Sequence, residues 1–243
     1  MMPQISSIIE RRLLINYRVE PEVVADLLPA PLRPHLANDW AVAGICLARL
    51  GQVRPVGLPS AVGVRSENAA HRIAVEWDGP DGVENGVYIP RRDSGSSLNV
   101  ALGGRLFPGV HSFARFDVVE SERDLHVAYT TRDNSTRVSV DVRTVDEFGG
   151  SMLFPDLTAA SDFFREGRIG YSASRDGSRL DGLELSTDAW QVHPAHTHAV
   201  RSTFFDDPTR FPSGSATLDC TLLMREVPAN WNVTEPMQLP AMA

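Results

Sequence analysis

A chain of 243 residues with 42% hydrophobic and 22% charged side chains is long enough to bury a sizeable core and has the composition of a globular protein. Its formal charge of -8 and pI near 5.3 exclude a phosphate-tracking nucleic-acid surface, because the arginines are dispersed among acids rather than clustered. All 23 basic residues are arginine, so chemistry through a Schiff-base lysine is excluded as well.

Most of the chain has strand character: short runs of Val, Ile, Leu, Thr and aromatics cut by Gly, Pro, Asn and Asp, as in a barrel or sandwich. Arg12–Val19 is the first predicted strand. Glu20–Leu28 follows as a helix, with Pro21 in the first turn, an apolar stripe of Val23, Val24, Leu27 and Leu28, and Pro29 as its stop. Trp40–Leu50, Arg72–Trp77 and Gly86–Pro90 read as strands, and Ser94–Leu102 as a short helix ended by Gly103-Gly104. Strands then run over Ser112–Val119, Leu125–Thr131 and Arg137–Val145. In the last of these, Val138, Val140 and Val142 alternate with polar residues and should face the core. A third helix spans Asp156–Glu166, with Asp156 as cap and Gly167 beyond its end. Leu183–Val192, Ala199–Phe205 and Ala216–Met224 complete the strands. The expected organisation is one domain over 1–229 and a tail, 230–243, without periodicity and poorly ordered.

No apolar run approaches the roughly 20 residues of a membrane-spanning helix, and the first residues lack a secretory-signal pattern, which sets a cytoplasmic location as the expectation. Cys46 and Cys220 stand apart in apolar segments and read as free thiols. His193, His196 and His198 put a His-x-His on one face of an extended segment, but with no obvious further ligand they read as an exposed connection, and no metal is assigned. No nucleophile elbow, phosphate loop, Cys-x-x-Cys or dinucleotide fingerprint is present.

The densest special stretch runs from Glu67 to Phe116. It brings Glu67 and His71 on one strand together with Arg91, Arg92 and Asp93 at a turn, and Arg105 and His111 around a glycine-rich turn. A carboxylate, guanidinium groups and an imidazole around one pocket would hold an anionic substrate and move a proton. The residues alone also allow Arg91-Arg92-Asp93 to be a salt-bridged loop and the glycines to be ordinary turns.

Several blocks in order carry a family resemblance: LLINYRVEPEVVADLLPAPLRP near the start, GVYIPRRDS and GGRLFPGVH in the centre, FFREGRIGYS later, then RSTFFDDPTRFP and LDCTLLMREVP. With these the chain resembles the acetoacetate decarboxylase-like proteins of the DUF2071 family over most of its length. The resemblance implies a mainly β fold with minor α, a closed cone-like antiparallel β-barrel with a few short helices and an internal cavity. In acetoacetate decarboxylases a segment similar to Gly104–His111 ends in the Schiff-base lysine. Here that position falls at or beside Val110 and His111, so the amine is missing. The resemblance also points to Arg105 in the cavity and to Glu67, with Glu76 as second choice, as its acidic residue.

The combined expectation is a small-molecule enzyme that works by non-covalent acid/base chemistry of the lyase, isomerase or cyclase type on an oxygenated, anionic or polyketide-like substrate. His111 and Glu67 would be catalytic, and Arg91, Arg92, Asp93, Arg105 and His71 would bind substrate. No cofactor, nucleic acid or membrane is called for, self-association is left open, and a non-catalytic metabolite-binding barrel is the alternative.

Overall fold

The computed structural model describes residues 4–97, 100, 107 and 109–239. Among the described residues, thirteen strands and two α-helices follow in chain order: β1 (Ile5–Val19), α1 (Pro21–Ala25), β2 (Arg33–Pro34), β3 (Leu36–Ala37), β4 (Trp40–Pro55), β5 (Val64–Gly79) and β6 (Gly82–Ser94). After them come β7 (His111–Glu120), β8 (Asp124–Thr131), β9 (Arg137–Thr144), α2 (Leu157–Glu166), β10 (Ile169–Ala173), β11 (Arg179–Ser186), β12 (His193–Ser202) and β13 (Ala216–Gln238). The mainly β reading holds.

All strands belong to one large sheet that folds back on itself. β13, β1, β4, β5, β6, β10 and β11 pair in that order, and β11 pairs again with β13, so these strands form a ring. A second path runs from β6 through β7, β8, β9 and β12 to β13. That path closes a second ring through β1, β4 and β5, so β13, β1, β4, β5 and β6 belong to both rings and carry a core on each face. β1 shows the consequence: Leu13, Leu14 and Ile15 are all fully buried, where a one-sided strand would alternate. Leu13 and Ile15 pack with the valines of β9, while Leu14 packs with Phe164 of α2 and Leu222 of β13. As the alternation requires, Val138, Val140 and Val142 point inward.

The pairing is antiparallel except at β6, whose neighbours β7 and β10 run parallel to it. A parallel neighbour needs a long return connection, and residues 95–110 supply it between β6 and β7. The expected helix Ser94–Leu102 falls on this connection and mostly outside the described residues; Ser94 itself closes β6.

Other boundaries moved for local reasons. α1 stops at Ala25 because Leu27 and Leu28 bond back three residues, to the carbonyls of Val24 and Ala25, tightening the chain before Pro29. α2 keeps its expected ends: Asp156 accepts the Ala159 N–H at 2.8 Å, and Gly167 terminates it. β11 ends before Thr187, whose hydroxyl donates to the Pro228 carbonyl and accepts the Ala189 N–H, turning the chain. The His193 segment is strand, not connection. The stretch from Asn230 to Gln238 is also strand, because β11 offers it a second partner, with Pro236 at a register shift where no ladder N–H is needed.

Candidate functional site

Strand alternation decides which side chains meet. Along β5, Asn68, Ala70 and Arg72 face one side of the sheet, and Glu67, Ala69 and His71 the other. Register extends the first set: Asn68 lies opposite Ala48, and Ala70 opposite both Cys46 and Arg92. β1 contributes Arg12, opposite Ala48. His111, the first residue of β7, stands beside Arg92 in parallel register. These side chains line a cavity of about 120 Å³, whose apolar wall includes Ile9, Leu50, Ile89, Phe107, Leu183 and Trp231.

Three guanidinium groups reach this cavity, and none has an ion-pair partner among the described residues. Arg72 is buried, bonded to the Asn16 side-chain carbonyl, and sits 4.6 Å over the Phe164 ring. Its Nε has no partner among the described residues. Arg92 donates Nε–H to the Ser172 hydroxyl at 3.0 Å. Arg12 lies 5.7 Å from the Trp190 ring and donates to the Met224 sulfur. Burial lowers Arg72 and Arg92 to about 10, the nearby Cys46 partly offsetting it in both, so they remain cationic at neutral pH. Asp93 touches the cavity wall, but its carboxylate is taken by Arg91 at 3.1 Å and by the Tyr129 hydroxyl at 3.2 Å. Burial raises the pKa of Asp93, with Arg91 opposing.

The other expected site residues do not join them. Glu67 is on the opposite face of β5, held by Arg11 and Arg49 at 2.5 Å each. Glu120 from β7 bonds the same two arginines and Arg225, closing a network of five charges. His71 is fully buried against Phe204, with ring centroids 4.3 Å apart, and meets the Ser202 hydroxyl at 3.4 Å. Burial, reinforced by Arg91 and Arg210, pushes its pKa down to about 3. Arg91 opens onto a different hollow, lined by Tyr88, Phe204 and Arg210. Arg105 lies outside the described residues, and Glu76 bonds Arg33 near the surface. Of the expected set, Arg92 and His111 are brought together, and Glu67, His71 and Arg91 are turned away by the period-two geometry of β5 and β6.

Sequence reading passed over Arg12, Asn68, Arg72 and Cys46. The signal was the adjacency His71-Arg72: on a strand two neighbouring polar residues must face opposite ways. Gly109 explains how the chain enters β7. Its φ is +92°, and a Cβ there would come within 2.7 Å of the Ser172 Cβ and 3.5 Å of the Arg92 Nε.

His193, His196 and His198 are exposed on β12, with the rings of the last two 5.0 Å apart. No group of three or more His, Cys, Asp or Glu suited to a metal occurs among the described residues. Nor is any described helix long and apolar enough to cross a membrane.

Comparison with known proteins places this geometry in context. An acetoacetate decarboxylase-like enzyme from Sphingomonas wittichii RW1 is similar in structure, with a TM-score of 0.63 and 10% identity over 99% of this chain and 94% of its own. The acetoacetate decarboxylase of Legionella pneumophila subsp. pneumophila str. Philadelphia 1 has a TM-score of 0.57 and 10% identity, covering 98% and 87%. The enduracididine biosynthesis enzyme MppR, complexed with pyruvate, has a TM-score of 0.63 and 13% identity, covering 98% and 90%. At these identities the likeness is one of fold. No curated protein matches the chain. The model of DUF2071, described as an uncharacterized conserved protein, matches residues 9–222, and the chain belongs to that family.

Proposed function

We propose that the protein is a small-molecule enzyme that binds an oxygenated organic acid in the Arg12, Arg72 and Arg92 cavity and moves a proton with His111, without a covalent amine. The observation that carries this is a cavity with guanidinium groups, whose lining carboxylate among the described residues, Asp93, is engaged by Arg91 and Tyr129, and an imidazole beside Arg92. Guanidinium groups hold a carboxylate by paired, charge-assisted hydrogen bonds and stabilise the enolate that forms when a neighbouring carbon loses a proton. An imidazole is suited to take that proton and return it near neutral pH. Such chemistry is of the lyase, isomerase or cyclase type, and the fold likeness to an enzyme complexed with pyruvate supports an oxo acid as ligand. In this reading one domain forms a closed cone-like barrel around the cavity.

A non-catalytic metabolite binder is the second reading. It is favoured by one observation: Glu67, the expected carboxylate partner of His111, faces the other core.

Proton exchange separates the two. With small 2-oxo acids in D2O, the enzyme reading expects protein-dependent loss of the signal of the C3 protons beside the ketone in NMR, abolished in His111→Gln while acid binding persists. Binding without exchange or turnover supports the metabolite binder, and absence of binding to any small organic acid overturns both.

A further inference from the structure

We infer that the cavity takes a short-chain dicarboxylate, with one carboxylate on Arg72 and the other on Arg92. This rests on the anion-binding reading above and narrows its ligand class.

Charge is the first argument. A single carboxylate would satisfy one guanidinium and leave the second facing a largely apolar wall, a costly arrangement for a desolvated cation. Arg72 shows this most sharply, because it is 4% exposed and its Nε–H has no partner among the described residues. Its remaining contacts, the Asn16 carbonyl and the Phe164 ring, fix its position without neutralising it. Arg92 is likewise fixed by a neutral group, Ser172. Each guanidinium is thus oriented by uncharged neighbours and lacks a protein counterion among the described residues. That is how a site for a charged ligand differs from a structural ion pair such as Arg11–Glu67.

Geometry is the second. Ala70 is the register partner of Arg92, and Arg72 follows two residues along β5 on the same face, at the register shift between His71 and Ile73. In a regular ladder the backbones of diagonal neighbours stand about 7–8 Å apart, so the two guanidinium groups enter the cavity from separate points of the wall, as the two carboxylates of one diacid require. Size is the third. The cavity, at about 120 Å³, is slightly smaller than the engineered pocket of about 150 Å³ that holds benzene, which favours malonate or succinate over longer acids. Arg12, a third cation in the wall, is likewise held by neutral groups, the Met224 sulfur and the Trp190 ring, and adds to the preference for a doubly charged ligand over a singly charged one.

The test is calorimetric titration of the full chain at fixed ionic strength with acetate, propionate, malonate, succinate and sulfate. The diacids should bind roughly 10- to 100-fold more tightly than the monoacids, the worth of one further charge-assisted pair. Arg92→Gln should bring the diacids down to about the monoacid level, and Arg72→Gln should do the same, because each variant keeps one guanidinium for one carboxylate and the diacid preference over monoacids vanishes. Circular dichroism establishes that each variant is folded; should Arg72→Gln not fold, Arg92→Gln and Arg92→Lys carry the comparison. Monoacids or sulfate binding as tightly as diacids would overturn this inference and leave the anion site intact. Failure of every acid to bind would overturn the proposed function along with it.

Discussion

Arg92 and His111 are register partners on the parallel strands β6 and β7, so a guanidinium and an imidazole enter one cavity from adjacent backbones. In the proposed function, roles divide accordingly between holding and proton transfer. His111→Gln should lower any turnover or C3-proton exchange by about 100-fold or more while leaving the acid dissociation constant nearly unchanged. Arg92→Gln should do the reverse at low substrate, raising KM first. Progress curves at several substrate concentrations separate the two.

Glu67 belongs to the fold rather than to the cavity. It and Glu120 compensate Arg11, whose side chain is 1% exposed. Glu67→Gln leaves that cation underpaired and should cost about 3–5 kcal/mol in urea unfolding, with ligand affinity retained in the folded fraction. A variant of full stability and lost activity would instead return Glu67 to the chemistry.

His71 sets a pH dependence of stability. In the unfolded chain its imidazole takes up a proton near the ordinary value of about 6.5, whereas the folded protein resists protonation down to about 3. Between these values the unfolded state binds the extra proton, so stability falls as pH falls, by up to about 1.4 kcal/mol per unit. Denaturant melts between pH 6.5 and 5 should show this slope in the native chain and about one proton less in His71→Gln.

Gly109 couples backbone to site. Gly109→Ala combines a left-handed φ with a Cβ pressed against Ser172, the residue that orients Arg92. The expected result is a loss of about 1–3 kcal/mol of stability and weaker acid binding. Pairing it with Ser172→Gly, which removes the clashing Cβ but not the φ strain, should recover part of the stability but not the Arg92 hydrogen bond.

The two cysteines should differ in reactivity. Cys46 is half-buried and lines the cavity, whereas Cys220 is buried, its thiol pushed up to about 12 by desolvation above all. Iodoacetamide followed by peptide mapping should label Cys46 first. A bound acid should slow that labelling and leave Cys220 as slow as before.

Much of the fold was legible along the chain. The valine alternation of β9, the Asp156 cap and Gly167 stop of α2, and Pro21 opening α1 are local signals, and local physics places them. β11 and β13 were less so, because their ends depend on what lies beside them: Thr187 turns onto Pro228, and beyond Trp231, where the pairing with β1 ends, β13 continues as strand against β11.

By itself, the sequence determined that lysine chemistry is absent, that the chain is built mainly of strands, and that histidine, arginine and carboxylate crowd between Glu67 and His111. Tertiary structure decided which of these face one another. Side-chain direction reverses at every residue of a strand, so His71 and Arg72, or Arg91 and Arg92, are neighbours in sequence and strangers in space. Only the pairing of β1, β4, β5, β6 and β7 could put Arg12, Arg72, Arg92, Cys46 and His111 around one cavity and send Glu67 to Arg11 on the other side.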